Sequence, residues 1–215
     1  MTSTCTVSGS LGALPGMDAQ AICARFENDL AGALLQVQVQ ANRPAYLLLE
    51  DESLLIGQRN IPHVLYQAMQ QSPLLLLEEP LSTRVDVILQ DYVVDLHAEA
   101  LQQNTEHGFS VFSQMLQQGM ARIHKRLGGA LFAELQNLLT QALAEQQYTG
   151  DTSLHRCWIT RLLSDYYDPM YQYQLQKRAL PVLQRGDAPQ LIAWWQQQQA
   201  VIRCKVFQAL KVGGF

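Results

Sequence analysis

AYLLLEDE, residues 45–52, and SPLLLLEEP, residues 72–80, are the two stretches that decide the fold. Each is a continuous apolar run that ends in acidic residues, without the alternation typical of a half-exposed strand. Such runs are typical of strands buried on both faces of a parallel sheet, with a helix as the alternative for the first run. ALPVLQRG, residues 179–186, predicts a third, short strand. Because helical periodicity lies between and after these runs, the chain is predicted to have an α/β fold.

The segments between the predicted strands have the periodicity of amphipathic helices. One helix is predicted around residues 26–37, where apolar side chains recur at helical spacing. A second is predicted after Pro62, since proline suits the first turn of a helix. Ser82 is predicted to cap a third helix with its side-chain oxygen.

The C-terminal half is predicted to be mostly helical. Residues 105–147 predict a helical hairpin, with a left-handed turn at the glycines 128–129. A later helix is predicted to split at Pro169, because proline removes a backbone hydrogen bond inside a helix. Asp187 and Gln190 have the spacing of a capping box for the last helix.

Three regions follow from these patterns. Residues 1–17 are predicted to be a flexible remnant or linker, and residues 18–195 a partial α/β domain that includes the hairpin. Residues 196–215 are predicted to be a helical or frayed tail without an assigned role. GSLGALPG, residues 9–16, is glycine-rich but lacks the lysine of a phosphate-binding loop. Neither G-x-x-x-x-G-K-[ST] nor G-x-G-x-x-G occurs, so no glycine loop is predicted to cradle a phosphate.

Composition limits the classes of partner. A chain of 215 residues with a net charge of −4 is not expected to bind nucleic acid through overall charge, so any RNA contact must be local. Its apolar runs fall far short of the roughly 20 residues of a membrane span, and no secretory signal is recognisable. We therefore expect a cytoplasmic protein without membrane contact. The cysteines are far apart and predict ordinary reduced thiols: Cys5, Cys23, Cys157 and Cys204.

Acidic residues follow the first predicted strand, where open α/β sheets place their ligands. Asp51 and Glu52 are therefore candidate ligands of Mg²⁺, which prefers oxygen donors beside phosphates. Solvated acids at a strand end are the equally weighted alternative. Arg84, in the first turns of the helix after the second strand, is a candidate for binding an anion of a cofactor. Its alternative is a surface ion pair with Asp86 or a glutamate at the strand end.

Two further segments combine basic and aromatic residues. MARIHKRLGG, residues 120–129, concentrates cations at a helix end, where they either balance the helix dipole or contact a phosphate backbone. DYYDPMYQYQLQKR, residues 165–178, interleaves tyrosines with cations, which suits base stacking, or buries half of the rings in a kinked core helix. The candidate RNA-binding residues are Arg122, Lys125, Arg126, Tyr167, Tyr171, Lys177 and Arg178. No catalytic residue is assigned.

Several stretches together resemble the C-terminal half of the tRNA 2-selenouridine synthase family. They are FENDLAGALL, LLLEDESLLIGQRNIP, LLLLEEPLSTRVDVILQDYV, RIHKRLGG and LLSDYYDPMYQYQLQKRALPVLQRGD, in the family's order and spacing. The resemblance covers nearly all of residues 8–195. Within the strand-end motif, the residues that match the family are Glu50, Asp51, Glu52, Ser53 and Gly57. Leu54 stands where members of the family tend to have a basic residue.

The resemblance implies modification of the tRNA wobble uridine, from 2-thiouridine to 2-selenouridine through a geranylated intermediate. The implied partners are tRNA, selenophosphate and geranyl diphosphate, with Mg²⁺ and a nucleotide or diphosphate as cofactors. The family consists of a rhodanese-like domain followed by a P-loop domain. The chain matches the part that follows the reactive cysteine and the phosphate loop, so a truncated chain, with a separately encoded N-terminal part, is expected to be inactive alone.

The resemblance also implies an incomplete P-loop NTPase-like sheet of about three strands with a large C-terminal helical portion. In such sheets the strand before the phosphate loop lies between the strands corresponding to residues 45–50 and 74–78. A gap is therefore expected there, and with it marginal stability.

One other function remains open. The chain is either a modifying enzyme of this family or a non-catalytic tRNA-binding or helper module. A degenerate small-molecule kinase fits the sheet pattern alone and lacks the phosphate loop.

Overall fold

The computed structural model describes residues 19–41, 47–51, 54–56, 59–199 and 207–211. Within these residues the helices are α1 (Ala19–Ala41), α2 (His63–Gln70), α3 (Leu81–Leu89), α4 (Leu96–Gln103), α5 (Gly108–Arg122), α6 (His124–Leu127), α7 (Gly129–Thr149), α8 (His155–Leu162), α9 (Asp168–Arg178) and α10 (Ala188–Gln199). The strands are β1 (Leu48–Glu50), β2 (Leu55–Ile56), β3 (Arg59–Asn60), β4 (Leu74–Leu77), β5 (Val182–Gly186) and β6 (Phe207–Lys211). Two π-helical segments, Gln90–Asp95 and Leu163–Tyr167, continue α3 and α8.

The chain divides into two compact units. Among the described residues, the sheet unit comprises those up to Leu77 and those from Leu180 to Lys211, and the helical unit comprises Glu78–Ala179. The single domain predicted for residues 18–195 is thus distributed over both units. The fold is a mostly helical α/β arrangement with a small parallel sheet.

The sheet unit is built on four parallel strands in the order β1-β6-β4-β5. The three segments predicted as strands contain β1, β4 and β5. Leu74, Leu75 and Leu76 of β4 are all buried, as expected for a continuous apolar run within a parallel sheet. A separate antiparallel pair, β2 with β3, follows β1.

Strand β6 corrects two predictions. Residues 207–211 belong to the tail that was predicted to be helical or frayed, and they form a strand instead. This strand pairs with β1 on one side and with β4 on the other, so the predicted gap between those strands is filled. The facing edges of β1 and β4 carry backbone N–H and C=O groups that need hydrogen-bond partners. An extended segment that lies between these strands can form hydrogen bonds with both of them.

The predicted capping box of the last helix is confirmed. The backbone N–H of Gln190 donates to Asp187 Oδ1 at 2.9 Å, and the backbone N–H of Asp187 donates to Gln190 Oε1 at 3.2 Å. These reciprocal bonds satisfy two backbone donors at the start of α10. The short helix predicted after Pro62 is also present, as α2.

The prediction that Ser82 caps α3 is wrong. The helix begins at Leu81 with Pro80 as its N-cap, two residues before Ser82, and no side chain makes a capping hydrogen bond. Pro80 precedes the first turn with a φ of −52°, and its carbonyl oxygen accepts the backbone N–H of Arg84 at 3.1 Å. Proline therefore fixes the start of this helix through its restricted φ.

The helical unit has its own apolar core. Its fully buried side chains include Phe112 of α5, Leu135 and Leu139 of α7, and Ile159 and Leu162 of α8. Burial of side chains of this size contributes about 1.5–3 kcal/mol each. Within the described residues, no helix combines the length and the apolar character needed to cross a membrane.

The predicted hairpin is found as α5, α6 and α7. The first arm is interrupted at Ile123, and Gly128, with a φ of 78°, separates α6 from α7. Gly150, with a φ of 79°, ends α7 in the left-handed conformation that favours glycine. Near the split predicted at Pro169, the helix remains continuous: the π-helical segment Leu163–Tyr167 follows α8, and α9 begins at Asp168 with this proline in its first turn.

Candidate functional site

The acidic strand end lies in the sheet unit. Glu50 ends β1 and is exposed, and Asp51 follows it with a half-buried side chain. Glu52 lies outside the described residues. Among the described residues, no group of three or more His, Cys, Asp and Glu side chains is arranged to hold a metal ion. Mg²⁺ is commonly held by only one or two carboxylates together with phosphate oxygens, so the donor chemistry of Asp51 fits this cation.

Arg84 is held by an ion pair inside the helical unit. Its Nη1 and Nη2 atoms donate to Asp168 Oδ1 and Oδ2 at 2.6 and 2.9 Å, which makes the pair bidentate. The side chains are only 12% and 23% exposed, and Arg84 Nε is buried without a hydrogen-bond partner. The alternative of a surface pair between Arg84 and Asp86 is wrong, because Arg84 pairs with Asp168 and Asp86 accepts a hydrogen bond from Arg156. Anion binding by Arg84 stays a prediction.

The Arg84 and Asp168 pair joins two of the sequence motifs. Arg84 lies in the first turns of α3, and Asp168 begins α9 directly before Pro169. Bidentate guanidinium and carboxylate pairs fix orientation as well as distance. The pair therefore holds the tyrosine segment against the start of α3. Sequence reasoning did not identify Asp168, since its partner is 84 residues away.

The tyrosines form a cluster at the junction of Leu163–Tyr167 with α9. The rings of Tyr166 and Tyr167 meet edge to face at 4.9 Å, and those of Tyr167 and Tyr171 stack at 6.2 Å between centroids. Tyr166 and Tyr167 also pack against the apolar core, so the core alternative holds for part of the segment. Tyr173 is 59% exposed, and Lys177 Nζ lies 5.0 Å from its ring centroid. The segment thus presents both half-buried and exposed rings.

Electrostatic interactions connect this cluster to the basic helix end. Burial raises the pKa of the Tyr167 hydroxyl, and the neighbouring Tyr166 and Tyr171 raise it further. Arg126 lowers the pKa of the same hydroxyl, which requires its cation to lie within electrostatic range of Tyr167. Tyr167 therefore stays protonated and can donate a hydrogen bond.

The basic helix end is exposed at the junction of α5 and α6. Arg122 lies in the last turn of α5, and Lys125 and Arg126 lie in α6. The ring of His124 packs against that of Phe132 at 4.2 Å. The positions of Arg122, Lys125 and Arg126 fit compensation of the helix dipole, and the exposure of these side chains equally permits contact with phosphates. Lys177 and Arg178 occupy the last turn of α9.

A buried polar chain was not foreseen from the sequence. The indole N–H of Trp158 donates to His155 Nδ1 at 2.9 Å, and His155 Nε2 lies 2.9 Å from Gln146 Oε1. Gln146 Nε2 continues the chain to His97 Nδ1 at 3.3 Å. Burial lowers the pKa of His155 to about 4, so its ring is neutral at neutral pH. The histidine and tryptophan three residues apart on one helix were the only local signal.

Comparisons with known proteins agree on one family. The family model described as the tRNA 2-selenouridine synthase AAA domain matches residues 9–201. A tRNA 2-selenouridine synthase of Shewanella piezotolerans is 45% identical over 170 residues, which cover 79% of this chain and 46% of the relative. Those of Cupriavidus pinatubonensis and Pseudomonas syringae pv. syringae are 44% and 42% identical, with 81% and 80% of this chain and 48% and 47% of the relatives covered.

The chain spans about half the length of the curated relatives it matches. No solved structure matches it. The family match extends over the strand-end acids, the Arg84 and Asp168 pair and the tyrosine segment. The chain belongs to the tRNA 2-selenouridine synthase family.

Proposed function

We propose that this chain takes part in the conversion of 2-thiouridine to 2-selenouridine at the wobble position of tRNA, through a geranylated intermediate. The family match supports the reaction, and selenophosphate and geranyl diphosphate enter as substrates through the same resemblance. One observation within the chain supports the choice of tRNA as partner. A protein with a net charge of −4 carries a basic helix end that lies within electrostatic range of a tyrosine cluster.

The proposed tRNA contact lies on the helical unit. Arg122, Lys125 and Arg126 contact backbone phosphates, which fix the position of the RNA without reading its sequence. Tyr171, which is partly exposed and stacked on Tyr167, offers a ring face to an unpaired base of the anticodon loop. Lys177 and Arg178 extend the cationic surface beyond the tyrosines.

Asp51 and Glu52 are proposed to hold Mg²⁺ beside the phosphates of a nucleotide or diphosphate. The bound cation would neutralise phosphate charge at the carboxyl end of β1. No residue among the 215 matches the family's reactive cysteine or its phosphate-loop lysine. We therefore expect the 215-residue chain by itself to bind tRNA without modifying it, in a P-loop-like sheet that lacks the loop.

Filter binding of 2-thiouridine tRNA across a salt series tests the proposed contact. Arg122→Gln, Lys125→Gln and Arg126→Gln together should weaken binding and reduce the salt slope by about 2–3, because each lost phosphate contact removes roughly 0.7–0.9 from it. The matched control replaces Arg25, Arg156 and Arg161 by glutamine, which changes the charge equally. Equal affinities and slopes for both triple variants would contradict the proposed surface.

The family reaction is tested separately by nucleoside mass spectrometry. Incubation of the chain with 2-thiouridine tRNA and selenophosphate, or with geranyl diphosphate, should leave the nucleoside unchanged. Turnover by the chain alone would contradict the expectation that the reactive groups lie elsewhere.

Binding without turnover also fits the alternative function, a non-catalytic tRNA-binding or helper module. Addition of the corresponding rhodanese and phosphate-loop half of a relative separates the two, since only a modifying enzyme would then convert the tRNA.

A further inference from the structure

A strand from outside the family match occupies the centre of the parallel sheet. The family model matches residues 9–201, whereas β6 is formed by Phe207–Lys211. β6 pairs in parallel with Leu48–Glu50 of β1 on one side and with Leu74–Leu77 of β4 on the other. Both neighbours lie inside the match. The position between β1 and β4 is therefore bounded by family sequence, but the strand that fills it lies outside the matched residues.

The sequence of β6 fits a central position poorly. Strands covered on both faces are nearly continuous apolar runs, and β4 follows this rule with four leucines. β6 reads FQALK, and in its register with β4 Gln208 stands beside Leu74 and Lys211 beside Leu77. Alanine and lysine are also depleted in strands. A segment without these residues would suit the position better than β6 does.

The relatives contain sequence that can supply such a segment. The aligned residues cover 46%, 48% and 47% of three of them, so about half of each relative lies outside the alignment. Extended segments join sheets through backbone hydrogen bonds, while their side chains set the specificity. Because β1 and β4 each turn an edge towards the position, a strand inserted there pairs on both sides.

We propose that the position between β1 and β4 is an acceptor site for a parallel apolar strand from the unaligned half of a family protein, and that β6 is an exchangeable strand that excludes it. The incoming strand binds only when β6 has left. The apparent affinity is therefore reduced by the fraction of molecules in which the site is free. The proposal goes beyond the tRNA function, because it concerns the sheet unit and needs neither RNA nor turnover.

Biolayer interferometry tests the exchange on the 215-residue chain. The immobilised probe is the unaligned half of the Shewanella piezotolerans relative, fused to maltose-binding protein. Ala209→Pro should bind this probe about tenfold or more tightly than the natural chain, because proline cannot donate a hydrogen bond in a central strand and so releases β6. Gln208→Val combined with Lys211→Val should bind it more weakly, because valine strengthens β6. In the complex with the natural chain, hydrogen exchange should become faster in β6 and slower in β1 and β4.

Matched controls make the same changes in β5, the outer strand of the sheet. Leu183→Pro, and Gln184→Val combined with Arg185→Val, leave β6 in place and should not alter the affinity for the probe. Circular dichroism shows whether Ala209→Pro keeps its helices. If it does not, the double valine variant and the hydrogen exchange of the natural chain decide the question.

Four results would each overturn the proposal. They are the absence of probe binding to both the natural chain and a folded Ala209→Pro, equal affinities of the natural chain and the double valine variant, slow exchange of β6 in the complex, and exchange of β6 between two copies of the chain. The last result would appear in light scattering as a dimer that Ala209→Pro abolishes, and it would assign the acceptor site to a second copy.

Discussion

Acid is expected to destabilise this protein through one buried histidine, His155. Its side chain is fully buried, and its Nδ1 accepts the indole N–H of Trp158. Because an indole nitrogen only donates, Nδ1 must be unprotonated and Nε2 must carry the proton that is donated to Gln146 Oε1 at 2.9 Å. A second proton, on Nδ1, would point at the indole N–H of Trp158, and the buried ring has no solvent around it that could accept this proton. Burial accordingly lowers the pKa of His155 from 6.5 to about 4.

The sign and size of the effect follow from this shift. The folded pKa of His155 lies below the unfolded value, so the unfolded state binds the proton more readily. The stabilisation is fully present above pH 6.5 and is lost as the pH falls towards 4. A difference of 2.5 units (6.5 − 4), at 1.36 kcal/mol per unit, gives about 3 kcal/mol as an upper value.

Urea denaturation followed by circular dichroism, repeated across this pH range, measures the effect. His155→Gln keeps one donor and one acceptor but does not titrate, so the natural protein should lose about 3 kcal/mol more than the variant on acidification. His107→Gln, at an exposed site, serves as the control and should follow the natural protein. Parallel pH curves for the natural protein and His155→Gln, or an NMR titration of the His155 ring near its unperturbed pKa, would refute the reasoning.

Three further changes have expected effects on stability, each measurable by the same denaturation at neutral pH. Asp168→Asn should lower the free energy of unfolding by about 2–4 kcal/mol, because it removes the carboxylate that balances the charge of the mostly buried Arg84 guanidinium. A loss as small as that of Arg156→Gln, which breaks an exposed pair, would contradict this. Gly108→Ala should destabilise, because a Cβ there would lie 2.7–2.8 Å from the backbone of α4, and an unchanged midpoint would count against that packing. Gly119→Ala should stabilise by about 1 kcal/mol, since its Cβ position is open; a lower midpoint would contradict this.

The strands and helix ends that rest on local patterns could be predicted from the sequence. The run of four leucines at residues 74–77 predicts a strand buried on both faces, and three of the four leucines are fully buried in β4. The capping box of Asp187 and Gln190 needs residues only three apart, and both of its hydrogen bonds are present. The predicted cap, Ser82, lies two residues after the observed N-cap, because Pro80 fixes the start of the helix instead.

Features that depend on distant contacts could not be predicted. Strand β6 has no strong strand signal of its own. It lies between β1 and β4, whose backbone N–H and C=O groups form hydrogen bonds with it on both sides. Arg84 and Asp168 both lie in recognisable motifs, but their pairing requires helices that are remote in the sequence to pack. The burial of His155 was not predicted, since its partner Gln146 lies on another helix.

The central claim is that the helical unit presents a tRNA-binding surface formed by the basic helix end and the tyrosine segment. Hydrogen exchange with mass spectrometry, with and without 2-thiouridine tRNA, tests it most directly because it reports protection along the whole chain. The account predicts slower exchange in α6, at the end of α5 and in α9 when tRNA is bound. Protection confined to α1 or α10, or no change in α6 and α9 at saturating tRNA, would contradict it.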